Sequence, residues 1–183
     1  KVGQLFIPIV ESNSSWKTRI AGYIQNYKVG GLLFSKGTLA NQADITNYAQ
    51  GISKIPLMIT LDGEWGLSMR LQDAPSYPRN LVIGAISDDE IVRLYGEEIA
   101  RQSKEMGIHV NFAPVLDVHS NPQNPVIGSR AFGESASNVA KKGIAYSLGL
   151  ESNGVMAVAK HFPGHGDTSE DSHVTLPTIS HNR

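Results

Sequence analysis

The strongest constraint on this chain is the alternation of five short apolar runs with longer amphipathic stretches along its whole length. Gln4 to Val10 is apolar, β-branched and too short for a helix, so it reads as a buried strand. Leu32 to Phe34, Pro56 to Leu61, part of His109 to Val118, and Val155 to Ala159 read the same way. Between them the apolar spacing predicts four helices. The first runs to about Tyr27 with Trp16, Ile20, Tyr23, Ile24 and Tyr27 in register, and the second spans Gln42 to Ser53 with Ile45, Tyr48, Ala49 and Ile52 on one face. The third starts at a Ser87 cap and runs to Gly107 with Ile91, Leu94, Tyr95, Ile99 and Met106 inward. A fourth spans Ser135 to Ser152 with Val139, Gly143, Tyr146 and Leu150 inward. Crossovers of this length require parallel strands, which makes the chain an α/β protein.

Two architectures suit that order, a doubly wound open sheet and a (β/α)8 TIM-type barrel. No glycine fingerprint follows the first strand, which weakens the dinucleotide-binding version of the open sheet. Long loops after strands three, four and five fall at one end, the arrangement of a barrel mouth. A complete barrel takes about 250 residues, and this chain has 183. It therefore reads as the N-terminal part of one barrel, about five strands and four helices, with no domain boundary inside residues 1–183. The remainder of the barrel is required to pair the edges of strands one and five.

Composition excludes several function classes. Lysines and arginines are scattered and the net charge is -1, so no nucleic-acid partner is expected. The apolar runs are only strand-sized, so no membrane span is expected. Without cysteine, disulfides and thiolate metal sites are excluded. The first residues, Lys1 to Gln4, carry no signal peptide, and a chain that does not begin with Met implies an upstream segment that was removed or never included.

Reactive groups concentrate in Lys160 to His173, directly after the fifth apolar run, where a parallel α/β protein places its active site. Lys160 and His161 end the strand and face the mouth. Asp171 and His173 lie two residues apart and point to the same side of an extended loop. A carboxylate on one imidazole nitrogen makes the other a better base, the logic of an acid/base pair. His161, His165, Asp167, Asp171 and His173 also offer enough nitrogen and oxygen donors for zinc or iron, so residue types alone leave metal and metal-free chemistry equally open. Asp62, at the end of strand three with Glu64 and Trp65 close behind, suits either a sugar site or a plain turn. Arg130 reads as a ligand contact, with a loop-ordering salt bridge to Asp117 as the alternative, and Asp117 itself reads as structural.

Four blocks in order, Asp62-Gly63-Glu64-Trp65-Gly66, Asn111 to Val118, Asn124 to Gly133, and Lys160 to Thr168 followed by Asp171-Ser172-His173 and Leu176-Pro177, resemble the β-N-acetylglucosaminidase branch of glycoside hydrolase family 3. The resemblance implies the (β/α)8 barrel and retaining release of terminal β-linked N-acetylglucosamine from glycans or muropeptides, as in peptidoglycan turnover, without metal or other cofactor. It implies that Asp62, Arg130, Lys160 and His161 bind the sugar. His173 is then the general acid/base, paired with Asp171, in place of one of the two usual carboxylates. The family's nucleophile is an Asp on a later strand-end loop, beyond Arg183, so the fragment alone is expected to be inactive. A catalytically incomplete N-acetylglucosamine-binding protein is the alternative. Where many relatives carry Glu-Gly-Gly this chain has Glu64-Trp65-Gly66, which resembles cell-envelope relatives and leans the compartment to the periplasm or cell envelope, with the cytoplasm as the alternative.

Overall fold

The computed structural model describes residues 1–179. Five parallel strands, β1 (Ile9–Val10), β2 (Gly31–Phe34), β3 (Met58–Leu61), β4 (Val110–Asn111) and β5 (Met156–Ala157), form one sheet in the order β1-β2-β3-β4-β5. This order decides between the two architectures. A doubly wound sheet reverses its strand order to place helices on both faces, whereas strands added one after another by right-handed crossovers keep all helices on one face and curl toward closure. The sheet is the first part of a TIM-type barrel.

The helices are α1 (Lys17–Gly22), which continues as a wider π turn over Tyr23–Tyr27, α2 (Leu39–Ile52), the short α3 (Asn80–Gly84), α4 (Asp89–Glu105) and α5 (Ala136–Ser152). Register aligns Val10, Phe34 and Leu61 in one row across the sheet, and all three are buried in the core shared with the helices. The neighbouring row, Ile9, Leu33, Thr60, Val110 and Met156, points the other way, with Ile9 and Met156 exposed at its two ends. Among the described residues no helix is long and apolar enough to cross a membrane.

Several local expectations are corrected. The first strand is shorter than Gln4 to Val10, because Val2–Leu5 form a 3₁₀ turn and the Gln4 side chain donates to the carbonyls of Lys28 and Val29. The fourth and fifth strands shrink to two residues each, although spacing resumes beyond Pro114, where Lys160 N–H donates to the Pro114 carbonyl and Leu116 N–H to that of Lys160. The long loop expected after β3 contains a 3₁₀ turn at Leu67–Met69 as well as α3. The cap of α4 is Asp88, not Ser87: its carboxylate accepts from Glu90 N–H.

The inward face of α4 differs as well. Ile91 and Leu94 are half exposed, and the buried stripe runs through Val92, Gly96, Ile99, Ala100 and Ser103. The reason is close helix packing. Gly96 of α4 meets Gly149 of α5 so tightly that a Cβ on Gly149 would overlap the Arg93 carbonyl and lie 2.8 Å from Glu97 N. The two backbones approach through glycines, so small residues, rather than the largest apolar ones, mark the contact line.

Candidate active site

Every β strand points its C-terminal end the same way, so residues just past those ends share one rim. Asp62 and Glu64 follow β3, Asp117 follows β4 and Lys160-His161 follow β5. Asn111, in β4 and buried, fixes the first of these loops: its side chain accepts from Gly63 N–H at 2.9 Å and donates to the Gly63 carbonyl at 3.1 Å. Arg130 ends a 3₁₀ turn at Gly128–Arg130, and its carbonyl accepts from the Asn80 side chain at the start of α3.

These residues interlock by charge. The Glu64 side chain is 0% exposed and accepts a two-point fork from Arg130, Nε at 2.9 Å and an Nη at 2.7 Å, together with Lys160 Nζ at 2.8 Å. Asp62 accepts from Lys160 Nζ at 2.5 Å on one oxygen and from Arg70 at 2.6 Å on the other, and Arg70 Nε also donates to the Asp62 carbonyl. Burial alone would raise the Glu64 pKa, but the hydrogen bonds and charges of Arg130 and Lys160 outweigh it and hold the carboxyl below its ordinary value.

Asp117 organises the other half. One oxygen lies 2.5 Å from His161 Nδ1 and the other accepts from His165 N–H at 2.6 Å. Its pKa is lowered although burial pushes the other way, because His161 and the His165 backbone hydrogen-bond to the anion. An ionised carboxylate only accepts, so His161 carries its proton on Nδ1, and Nε2 turns a lone pair to an Arg130 Nη at 3.3 Å. The Asp117–Arg130 salt bridge, the alternative considered for Arg130, is not the pairing found: Arg130 pairs with Glu64 and Asp117 with His161.

Asp62, Arg130, Lys160 and His161 are therefore brought into one hydrogen-bonded cluster. Asp171 and His173 form their own pair, with Asp171 Oδ1 accepting from His173 N–H at 2.9 Å and lying 2.6 Å from Nδ1. Those two bonds hold the Asp171 carboxyl below its ordinary pKa, and Nε2 of the 80% exposed His173 side chain is left facing outward. Among the described residues no hydrogen bond or ion pair joins this pair directly to the cluster. Among the described residues no three His, Asp or Glu side chains gather as they would around a metal ion, and the donors considered for one have other partners: His161 bonds to Asp117 and Arg130, His165 to Thr168 and Ser172, and Asp171 to His173.

The sequence marked Glu64 only as a carboxylate close behind Asp62 in a possible sugar site, and gave Arg70 no role. Glu64 lies two residues beyond Asp62 and so points to the same side of an extended segment, a signal that could have paired them. Arg70 sits in a stretch without periodicity, where only the folded loop brings it back to Asp62.

A parallel α/β barrel segment whose mouth gathers interlocked carboxylates, cations and imidazoles carries its reactive groups where barrel enzymes place their sites. The profile described as "Glycosyl hydrolase family 3 N terminal domain" matches residues 1–183, and the chain belongs to that family. Among its relatives, beta-hexosaminidase A of Pseudoalteromonas piscicida is 39% identical over 173 residues, which is 87% of this chain and 29% of that protein. A solved glycoside hydrolase family 3 beta-N-acetylglucosaminidase from Paenibacillus sp. str. FPU-7 superposes with a TM-score of 0.88 at 36% identity, over 100% of this chain and 36% of that one. The beta-glucoside phosphorylase BglX superposes with a TM-score of 0.87 at 25% identity, over 94% of this chain and 31% of that one. The chain thus spans about a third of the length of these proteins.

Proposed function

We propose that this chain forms the sugar-binding and acid/base portion of a retaining β-N-acetylglucosaminidase that releases terminal β-linked N-acetylglucosamine from glycans or muropeptides. The carrying observation is the rim cluster in which Lys160 bridges Asp62 and Glu64 while Arg130 touches Glu64 and His161. In this reading Asp62, Arg130, Lys160 and His161 hold the sugar hydroxyls. Their geometry is set before any ligand arrives, which is the condition for positioning to contribute to rate.

His173, carrying protons on both ring nitrogens, gives the Nε2 proton to the glycosidic oxygen as a nucleophilic Asp outside this chain bonds to C1. The then neutral ring takes a proton from the water that attacks C1 and frees the nucleophile, so the ring is restored. Asp171 holds the tautomer that leaves Nε2 outward. A neutral base beside the glycosyl-enzyme avoids placing a second carboxylate near the first. One of the similar structures is a beta-glucoside phosphorylase, and phosphate is the acceptor to test against water for the same intermediate.

The test is His173→Ala in the full-length protein. Cleavage of N-acetylglucosaminides with poor leaving groups should fall by about 10²–10⁴, the usual contribution of a general acid, while dinitrophenyl glycosides, which leave unprotonated, should keep most of their kcat/KM. Equal losses on both substrates would remove His173 from that role.

A further inference from the structure

His165 is a buried titratable group beside the rim that the proposed reaction leaves unused. It is 8% exposed, and both ring nitrogens are hydrogen-bonded, Nδ1 to Thr168 Oγ1 at 2.6 Å and Nε2 to Ser172 Oγ at 3.0 Å. Its backbone is as firmly held. The N–H donates to Asp117 at 2.6 Å, and the carbonyl accepts from the Asn124 side chain at 2.7 Å. Asn124 is itself buried, and it also donates to the Thr168 carbonyl and accepts from Val126 and Ile127 N–H at the entry to the turn that carries Arg130. Close backbone packing completes the anchor, since a Cβ on Gly166 would overlap the Val118 carbonyl.

Beyond Ser169 the contacts change character. Val174 and Thr175 N–H donate only to the Asp171 carbonyl, His173 bonds to Asp171, and Val174 and Leu176 are exposed. The bond between His165 Nε2 and Ser172 Oγ joins residues 170–179 to the earlier chain. Ser172 lies between Asp171 and His173, so that bond acts where the acid/base pair sits. We infer that His165 is the positioning residue that holds the Asp171–His173 pair over the rim through Ser172. Because the same residue's N–H is fixed by Asp117, which also holds His161, the sugar-holding and proton-moving halves share one anchor.

This inference rests on the acid/base reading of His173, and the experiment separates the two. Ser172→Ala in the full-length protein removes only an exposed hydroxyl, so folding is preserved; His165→Gln is made alongside. The readout is kcat/KM, which reports steps through the first glycosyl transfer, on an unactivated N-acetylglucosaminide and on its dinitrophenyl counterpart. Both variants should lose about tenfold on the unactivated substrate, the population lost with one neutral hydrogen bond, and should stay near wild type on the dinitrophenyl one. Inhibition by free N-acetylglucosamine should be unchanged for Ser172→Ala. If His173→Ala shows its selective loss while Ser172→Ala matches wild type, or loses equally on both substrates, the tether is overturned and the acid/base reading stands. Equal losses for His173→Ala overturn both.

Discussion

Replacing Glu64 by Gln is the sharpest perturbation of the rim. The carboxylate is fully buried, whereas its partners Arg130 and Lys160 keep 19% and 15% of their side chains exposed. Removing one partner of a buried pair costs about 3–5 kcal/mol, because the charges left behind lose their compensation. Gln retains the shape and one acceptor oxygen, Lys160 keeps Asp62 and Arg130 keeps the Val126 carbonyl. These residual contacts place the expected loss at the lower end, about 3 kcal/mol, read by calorimetry on the full-length protein. Gln also presents an NH2 group to one arm of the Arg130 fork, so the guanidinium turns and the inhibition constant of N-acetylglucosamine should rise about tenfold or more, in keeping with the loss of a charge-assisted contact.

Acidity supplies an internal control. The folded Glu64 pKa lies below its ordinary 4.5, so its stabilisation is complete above that value and is lost as pH falls through the lower folded value. The stability gap between wild type and Glu64→Gln should therefore be constant near neutrality and shrink on acidification below about pH 4.5. A gap under about 1 kcal/mol at pH 7, of the size of an exposed pair, with unchanged sugar inhibition, would refute the claim that this carboxylate sets the rim.

Two further perturbations address the other half of the rim and the scaffold beneath it. Asp117→Asn cannot accept from both His161 Nδ1–H and His165 N–H with equal strength, so inhibition by N-acetylglucosamine should weaken about tenfold, the scale of one hydrogen bond to a charged group. Because the Asp117 pKa is also lowered, its advantage over Asn should fade as pH drops below the ordinary 3.8, and unaltered inhibition at neutral pH would count against the anchor. Gly149→Ala, far from the rim, places a methyl group against the backbone of α4 on both sides. A stability loss of about 1–3 kcal/mol in a thermal melt is expected, with sugar inhibition intact, and a neutral substitution would show that the two helices can separate without cost.

The alternation of apolar runs made the strand order and the common rim legible, because strand and helix periods are local properties of the sequence. Placement at strand ends then singled out Asp62, Lys160 and His161. Their pairing was not legible. Asp117 could reach Arg130 or His161 by spacing, and the choice depends on how the 128–130 turn lies against α3 through Asn80. Arg70 was hidden for a similar reason, since its approach to Asp62 is made by a loop without a period. The inward face of α4 was misjudged because hydrophobicity weights Ile91 and Leu94, while the packing line is set by Gly96.

Charge balance ties the rim to the kind of ligand it suits. Asp62, Glu64 and Asp117 supply three carboxylates, and Arg70, Arg130 and Lys160 supply three cations, each with a partner inside the cluster or at its edge. A site built for phosphate or another anion leaves cations uncompensated, because the ligand is their counter-ion. Here the cations Arg70, Arg130 and Lys160 are already paired with protein carboxylates, and what remains at the surface is a dense array of oriented donors and acceptors. Such an array matches an uncharged, polyhydroxylated ring, whose hydroxyls both donate and accept. His161 adds to the mix through both ring nitrogens, with Nδ1 on Asp117 and Nε2 beside Arg130.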